Sequence, residues 1–426
     1  MRVYYESFGC DIEREEFIRF LKLSNLTETK EMEEADIIII HLCALSSDSF
    51  RAIGLNMMVL KHFKKINQRI GKEIKIFVGG CAEQLLDIKK FYPFVDGVFR
   101  RGKLVEDLSK IFNYNAQIDC GTIHYKNSVV IQKGCSRKEK CGFCIKSYVI
   151  TMPSHSKPVE KIVADIKATV AAGYHDIALL AENSTEYYDP ITDSRLLDLI
   201  KIVEKIDGVN FIDLTGLCID ELEENPELVD YIAASEKIRK VQLEIQSLIP
   251  VVRHNMRLSS RAGFVYKLLE KFTNKYICTN IMVGYPGEEE ESFKNQLDPI
   301  LRKLLYYIEV NKYDDTPGVY AHKLPQIPKT VVDDRIEMMK NTIRKTREEV
   351  ANKILNTSSK NGGIECVYVG HDIAEALHYT AIVEVDNLPT NLINGQKIWV
   401  EITTIEDLFR ETGINQELIL RGSFVK

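Results

Sequence analysis

The chain of 426 residues has no apolar run near the roughly 20 residues that a membrane span requires. Its opening residues, MRVYYESFGC, also lack the basic-then-apolar order of a secretory signal. We therefore expect a cytoplasmic protein without membrane contact. Hydrophobic residues make up 45 % of the chain and charged residues 28 %, which is ordinary for a globular protein large enough for two or three domains.

The chain has ten cysteines. In a long cytoplasmic chain, cysteines favour metal binding or catalysis over disulfides. Cys141 and Cys144 form a C-x2-C pair, which suits half of a zinc site. No second C-x2-C and no Cys/His pair follows at zinc spacing, which disfavours zinc. The nine histidines show no pairing that indicates a metal site or a nucleophilic triad.

Six cysteines fall into two groups of three. Cys135, Cys141 and Cys144 lie within the run GCSRKEKCGFC, whereas the other group is widely separated and comprises Cys10, Cys43 and Cys81. Three thiolates hold three irons of a cubane cluster and leave one iron open. The pattern therefore predicts two iron–sulfur clusters with one reactive corner each. Taken singly, each separated cysteine is more typical of a small buried core residue than of a metal ligand.

The first 120 residues or so alternate strand and helix patterns. VYYESFG, ADIIIIHLC and EIKIFVGGC are typical of strands, and amphipathic helical segments follow the first two. This alternation predicts a parallel sheet covered by helices. Ligands of such sheets gather beyond the carboxyl ends of the strands, where the separated cysteines lie.

From about Asn127 the pattern restarts with six predicted strands, SVVIQKG, DIALLAE, NFIDLTG, KVQLEIQ, YICTNIMVG and YIEVNKY. Helical segments separate most of them, which predicts a full or partial barrel with its chemistry at the carboxyl ends of the strands. The clustered cysteines follow the first of these strands. A long charged helix, a linker at SSKNGG and a small β-barrel complete the predicted architecture.

These motifs resemble the radical S-adenosylmethionine (SAM) methylthiotransferases, the MiaB/RimO family, over nearly the whole chain. The resemblance rests on the cysteine-bearing segments, on VGYPGEEEESF at 283–293 and on YDDTPGVYAHKLPQIPKTVVDDR. It implies an α/β fold in three domains. These are an N-terminal parallel α/β methylthiotransferase domain (1–122), a central radical SAM partial β/α, TIM-like barrel (123–358) and a small TRAM-like β-barrel (359–426).

The resemblance also implies the cofactors, two [4Fe–4S] clusters and S-adenosylmethionine. An auxiliary cluster belongs on Cys10, Cys43 and Cys81, and the radical cluster belongs on Cys135, Cys141 and Cys144. No catalytic residue is assigned apart from these ligands. SAM contacts are expected from polar or turn residues after barrel strands, namely Glu182, Asn183, Gln246, Gly284 and Pro286.

Each expected SAM contact has a structural alternative. The segment after DIALLAE also suits a helix N-cap formed by Ser184 or Thr185. Gln246 also suits a buried structural amide, and the Gly-Tyr-Pro-Gly run suits an ordinary turn. Arg253 and Arg257 are candidates for substrate or cofactor contacts, but a solvated helix face is the favoured interpretation of both.

One spacing departs from the family, which usually has C-x3-C-x2-C where this chain has C-x5-C-x2-C. A polar bulge in a loop absorbs two extra residues at small entropic cost. The alternative is a distorted or absent radical cluster, which would make the chain a non-catalytic Fe–S or RNA-binding relative.

The family implies an enzyme that inserts a methylthio group at an unactivated C–H bond, acting on tRNA adenosines or on an aspartate of a ribosomal protein. Residues 361–426 carry ten acidic and four basic side chains, which equals the whole net charge of −6. This excess repels phosphates and suits a basic polypeptide. LLAENSTEYYD also resembles the protein-modifying, RimO-like branch. We therefore expect a protein or peptide substrate over tRNA, with an external electron donor as a further partner.

Overall fold

The computed structural model divides the chain into two compact units. The first contains 1–125, 133–135 and 144–155, and the second contains 126–132, 136–143 and 156–426. The structure describes residues 1–7, 11–43, 47–115, 121–123, 125–144, 154–259, 261–302, 304–305, 307–316, 318–370, 372–377, 381–404, 409–412 and 415–426. None of the helices in these ranges is long and apolar enough to cross a membrane.

The described strands are β1 (Arg2–Ser7), β2 (Thr27–Thr29), β3 (Ile37–His41), β4 (Lys75–Gly80), β5 (Gly97–Arg100), β6 (Ser128–Val130), β7 (Gln132–Lys133), β8 (His155–Ser156), β9 (Asp176–Leu180), β10 (Tyr188–Asp189), β11 (Ser194–Arg195), β12 (Phe211–Leu217), β13 (Ile238–Gln246), β14 (Tyr276–Val283), β15 (Tyr307–Lys312), β16 (Ile364–Gly370), β17 (Ile373–Ala376), β18 (Ile382–Asp386), β19 (Lys397–Thr404), β20 (Phe409–Thr412) and β21 (Asn415–Phe424). The described helices are α1 (Asp11–Ser24), α2 (Ser47–Arg69), α3 (Ile88–Phe91), α4 (Leu104–Phe112), α5 (Val159–Ala171), α6 (Leu196–Val203), α7 (Ile219–Glu223), α8 (Pro226–Ala234), α9 (Pro250–Asn255), α10 (Ala262–Lys271), α11 (Glu290–Asn295), α12 (Asp298–Leu301) and α13 (Lys329–Asn361).

The first unit is built on a parallel five-stranded sheet with the order β2-β1-β3-β4-β5. Every residue of the central strand β3 is buried, which explains its unbroken apolar run Ile37–Ile40. One face packs against α1 and α4 through a core that includes Phe17, Phe20 and Leu108. The predicted parallel α/β fold is confirmed.

The second unit begins with a parallel six-stranded sheet whose order, β6-β9-β12-β13-β14-β15, follows the chain. Helices follow most of its strands and bury apolar side chains such as Leu199, Ile232 and Leu268 against it. All six predicted barrel strands are therefore present. Because consecutive parallel strands are neighbours, their carboxyl ends lie along one edge.

The second unit ends in a small β-barrel. Antiparallel pairs join β16 to β17 and β19, β17 to β18 and β19 to β21, and a parallel pair between β18 and β21 closes the ring. The predicted C-terminal barrel is confirmed as a closed barrel of five strands. The boundaries of the three predicted domains stay a prediction.

The prediction of a linker at SSKNGG is wrong for its first four residues, which belong to α13, because this helix continues to Asn361. The last turns of this helix belong to the core of the C-terminal barrel through Val350, Ala351 and Ile354. Ser358 is fully buried, and its hydroxyl accepts a hydrogen bond from the Ile402 amide at 2.8 Å. The helix ends only at Gly362, which has the left-handed φ of +67° that favours glycine at this position.

A buried charge network joins the parallel strands of the second unit to the C-terminal barrel. Arg239 on β13, whose side chain is 4 % exposed, lies 2.6 Å from Asp176, 3.0 Å from Asp213 and 2.9 Å from Glu375 on β17. Lys240 adds a contact with Glu375 at 3.0 Å. Burial opposes ionisation of Glu375, but Lys240 and Arg239 lower the pKa of its carboxyl to about 2. The acidic residue is thereby kept charged inside the protein.

We expect the substitution Arg239→Met to lower the free energy of unfolding by about 3–5 kcal/mol, because it leaves buried carboxylates without their shared cation. The matched control is Arg302→Met, whose partner Glu270 lies 2.7 Å away in an exposed pair, so that its loss should shift the unfolding midpoint far less. Urea unfolding followed by circular dichroism measures both. Equal shifts of the two midpoints would contradict a structural role for the network.

Candidate functional site

In the first unit, two of the separated cysteines follow neighbouring strands. Cys43 lies two residues after β3 and is half-buried, and Cys81 directly follows β4 and is 2 % exposed. The pairing continues past the strand ends, since the Leu42 amide donates to the Gly79 carbonyl at 2.8 Å and the Ala82 amide donates to Leu42 at 3.2 Å. These bonds hold the two cysteine-bearing segments side by side. The third predicted ligand, Cys10, lies outside the described residues.

Two glycines allow this close approach. A Cβ on Gly79 would lie 1.9 Å from the Phe99 carbonyl oxygen. Gly80 has φ +92°, and a Cβ there would lie 2.2 Å from the ring of His41. Any larger residue at either position would therefore push apart the strand ends that carry the cysteines.

His41 and Glu13 are buried polar residues of this region that the sequence interpretation did not include. His41 is 1 % exposed, and burial followed by the charge of Arg101 lowers the pKa of its imidazole to about 3. Glu13 is 0 % exposed, and burial raises the pKa of its carboxyl to about 7. One Glu13 oxygen accepts a hydrogen bond from the Gly102 amide at 2.7 Å. The order HLC, with a histidine at the end of an apolar strand, is the only sequence pattern that pointed to His41.

The segment between the clustered cysteines is anchored in the second unit by Arg137. Its guanidinium donates to the Cys218 sulfur at 2.7 Å and to Asp220 at 2.6 Å, just beyond the carboxyl end of β12. Lys138, Glu139 and Lys140 are exposed, as expected for a polar bulge. Within the five-residue gap, Arg137 thus binds to residues of the second unit, whereas the three residues that follow it are exposed to solvent.

Asp220 connects Arg137 to a second loop. It also accepts a hydrogen bond from the Ser259 amide at 3.0 Å, and Arg253 lies 3.8 Å away. Arg253 is only 2 % exposed and donates to the carbonyls of Ile245 and Ser247 at 2.8 Å. The interpretation of Arg253 as part of a solvated face is therefore wrong, since it secures the turn that follows β13.

Arg257 differs from Arg253 in its surroundings. Its side chain is 36 % exposed, and its guanidinium lies 4.0 Å from the centre of the Tyr320 ring, a cation–π contact. Glu139 of the cysteine segment lies 4.0 Å away. The predicted solvated position of Arg257 is thus only partly correct.

Gly142, the residue after Cys141, is clamped by two other segments. Its amide donates to the Met256 carbonyl at 2.8 Å, and its carbonyl accepts from the Ala321 amide at 2.9 Å. A Cβ here would lie 2.7 Å from both the Asn255 carbonyl oxygen and the Tyr285 hydroxyl. The position of the CGFC loop is therefore fixed by backbone contacts.

The loop after β14 forms one side of this clamp. Tyr285 is fully buried, donates its hydroxyl hydrogen to the Asn255 carbonyl at 2.9 Å and contacts Phe143 edge-on at 6.4 Å. Its neighbours are the predicted residues Gly284 and Pro286. The Pro286 carbonyl accepts from the Asn255 side chain at 3.0 Å, and Gly284 has φ +84°. The structure thus brings the Gly-Tyr-Pro-Gly segment against Gly142 and Phe143.

Asn183 lies at the carboxyl end of β9 in a different hydrogen-bonded group. It is 3 % exposed and donates to Glu221 at 2.9 Å, while Thr185 donates to both Asn183 and Glu221. Ser184 donates to the Thr215 carbonyl at 2.6 Å. The alternative of an N-cap by Ser184 or Thr185 is wrong, because the capping position of this 3-10 turn is Asn183 and has no side-chain cap bond. Glu182, the other predicted contact on this loop, is half-buried.

Gln246 ends β13 with a left-handed φ of +61° and donates to Glu244 at 3.0 Å. Glu244 also accepts from Gln242 and Asn280, both at 3.2 Å. Along β13, Gln242 and Glu244 alternate with the buried Val241, Leu243 and Ile245. Their polar side chains therefore lie on the opposite face of the strand. Glu244 was missed, although the alternation in KVQLEIQ shows it.

Thiolates are the ligands that iron–sulfur clusters take in proteins, and the described chain supplies them next to glycines whose backbone admits close approach. Cys135 and Cys144 belong to the first unit and Cys141 to the second, and each is half-buried. Over the described ranges, no three His, Cys, Asp or Glu side chains are already grouped as metal ligands. The donor chemistry fits clusters, and the assignment of the individual ligands stays a prediction.

Comparisons with known proteins match both units. Residues 129–298 match the model of the Radical SAM superfamily, and residues 2–99 match Uncharacterized protein family UPF0004. The chain is 26 % identical to the ribosomal protein uS12 methylthiotransferase RimO of Aquifex aeolicus (strain VF5), with 96 % of each chain covered. It is 24 % identical to the tRNA-2-methylthio-N(6)-dimethylallyladenosine synthase of Francisella tularensis subsp. novicida (strain U112), covering 84 % of this chain and 87 % of that protein.

Among solved structures, the apo form of the cobalamin-dependent S-adenosylmethionine radical enzyme OxsB matches with a TM-score of 0.52 and 11 % identity. The match covers 81 % of this chain, which spans 56 % of the length of that structure. At this identity the likeness shows the fold alone.

We expect Gly142→Ala to displace the CGFC loop, because the new methyl group would meet backbone and a buried hydroxyl. A cost of about 1–3 kcal/mol in the free energy of unfolding is typical of such overpacking. Gly263→Ala is the control, since a Cβ at that helical position meets no atom within 4 Å. Thermal unfolding of the two variants measures the difference. Equal stability of the two variants would show that the contacts around Gly142 accept a methyl group without loss of stability.

Proposed function

We propose that the chain acts as a radical SAM methylthiotransferase and attaches a methylthio group to an unactivated carbon of a protein or peptide residue. Enzymes of this family use S-adenosylmethionine and [4Fe–4S] clusters. When bound, these groups supply the one-electron cleavage of S-adenosylmethionine and the removal of hydrogen from carbon. The observation that carries the proposal is that Cys43 and Cys81 follow neighbouring parallel strands, while Gly142, between Cys141 and Cys144, is held against the loop that follows β14.

The proposed radical site uses Cys135, Cys141 and Cys144 as ligands. The lengthened gap is compatible with this role because Arg137 ties it to the end of β12, and the Gly142 clamp positions the CGFC loop. An external donor supplies the electron. The fixed loop lets the protein orient the reacting groups, which is its main contribution to cofactor chemistry.

The proposed SAM contacts are Glu182, Asn183, Gln246, Gly284 and Pro286. Pro286 and Gly284 have the strongest support, because their loop contacts the CGFC loop through Tyr285 and Asn255. Asn183 and Gln246 both lie at carboxyl ends of strands of the same sheet, the edge at which such folds bind ligands. Each already has a carboxylate partner, so binding of the cofactor would exchange one hydrogen bond for another.

Charge supports a basic polypeptide as the substrate. In the described part of the C-terminal barrel, Asp372, Asp386 and Glu401 are exposed, whereas Glu375 is buried against Arg239 and Lys240. The exposed basic residues Lys397, Arg421 and Lys426 equal these three in number, and the remaining acidic excess in the described part comes from the half-buried Glu365 and Glu384. Exposed carboxylates attract lysine- and arginine-rich chains and repel the phosphates of tRNA.

The ligand assignment predicts how much iron the protein holds. We expect about eight irons per chain after anaerobic reconstitution and about four in the variant Cys135/Cys141/Cys144→Ala, which should also no longer form 5′-deoxyadenosine. Iron and sulfide counting and chromatography of the products measure this. The control variant Cys278/Cys366→Ala should keep all its iron, because Cys278 lies within β14 and Cys366 within β16 rather than beyond the end of a strand. Eight irons in the triple variant would refute the assignment.

The substrate class is tested by reversing charge on the C-terminal barrel. Replacing Asp372, Asp386 and Glu401 by Lys should weaken binding of a basic ribosomal peptide by about tenfold at low salt, because each exposed charge contributes a few tenths of a kcal/mol. The same charge change at Glu227, Asp230 and Glu270, on α8 and α10, is the control. Fluorescence anisotropy with labelled peptide and labelled tRNA across salt concentrations measures both. Tight tRNA binding by the unaltered protein, without peptide binding, would favour a tRNA substrate instead.

A further inference from the structure

His41 is a buried side chain without any visible hydrogen-bond partner. It is 1 % exposed, and neither ring nitrogen is hydrogen-bonded to any part of the chain that the structure describes. A buried donor or acceptor that loses water without gaining a partner costs about 1–3 kcal/mol. Such a group in a native fold calls for an explanation, and a bound water, ion or cofactor is one of them.

The position of the ring shows where this interaction lies. His41 is the last residue of β3, two residues before Cys43, and pairs in register with Gly79. A Cβ on Gly80 would lie 2.2 Å from ring atom Cδ2 and 2.4 Å from Nε2, so the ring rests against the residue before Cys81. The imidazole therefore lies between the two strand ends that carry the cysteines.

Glu13 provides a contrast within the same unit. It is as deeply buried, and its Oε2 also has no hydrogen-bond partner among the described residues, but its Oε1 accepts the Gly102 amide at 2.7 Å and lies 3.9 Å from Arg101. These contacts tie α1 to the loop after β5, which is a structural role. His41 makes no comparable contact with the described residues, so burial alone does not explain its presence at this strand end.

We propose that His41 is a positioning residue whose ring N–H donates a hydrogen bond to a sulfur of the auxiliary cluster held by Cys10, Cys43 and Cys81. This inference rests on the proposed function, because it requires that cluster. A neutral imidazole has one N–H to donate, and cluster sulfurs accept such bonds. The bond strengthens when the cluster gains an electron and a more negative charge. His41 thus raises the reduction potential of the cluster and fixes its orientation.

The test uses full-length protein carrying Cys135/Cys141/Cys144→Ala, so that only the auxiliary cluster is present. In this parent, His41→Phe should retain about four irons but shift the midpoint potential to more negative values. His41→Gln, which restores an N–H donor, should return the potential toward that of the parent. His62→Phe, the same change at an exposed position of α2, should leave the potential unchanged. Spectroelectrochemical titration and iron counting are the measurements.

A second measurement separates this role from a structural one. Without cluster, His41→Phe should unfold at a temperature no lower than the parent, because the substitution removes polar atoms that lack partners. An unchanged potential at full iron content, or a large loss of stability of the cluster-free variant, would overturn the inference. Absence of iron from the parent itself would instead show that the proposed auxiliary ligands are wrong, a failure that is visible before His41 is altered.

Discussion

The parallel pairing of strands that follow one another in the chain is the constraint on which the rest depends. In the five-stranded sheet of the first unit and the six-stranded sheet of the second, neighbouring strands run in the same direction, so their carboxyl ends meet along one edge of each sheet. This brings Cys43 beside Cys81 although 38 positions separate them in sequence. It also places the loops after β9, β12, β13 and β14 along a single edge. Segments that are distant in sequence are thus brought together without long connections.

Close backbone approach is the second requirement, and specific glycines meet it. Gly80 leaves room for the His41 ring and has a φ that other residues adopt only with strain. Gly142 lets the CGFC loop lie against Asn255 and Tyr285. In both cases the glycine adjoins a predicted cluster ligand. A thiolate set holds a rigid inorganic group only when its backbone is held too, and these contacts provide that rigidity.

Buried charge is used in two different ways. Around Arg239, cations and carboxylates neutralise one another and join the parallel strands to the C-terminal barrel. At Arg137 and Asp220 the ion pair instead fixes a loop next to a predicted ligand. Removing one member of the Arg239 network or of the Arg137–Asp220 pair is costly, because the buried charge that is left has no water to replace its partner. His41 is the opposite case, because neither nitrogen of its buried ring has a hydrogen-bond partner among the described residues.

The sequence by itself determined the strands, their parallel arrangement and the cysteine groups, because apolar runs, β/α alternation and residue type are local properties. It also indicated the Gly-Tyr-Pro-Gly loop. It did not determine that Arg253 is buried, that Arg137 reaches Cys218 and Asp220, or that α13 extends through Ser358 into the C-terminal core. Those outcomes depend on which distant segments meet, and only tertiary packing decides whether a charged or polar side chain faces water, an opposite charge or a cavity.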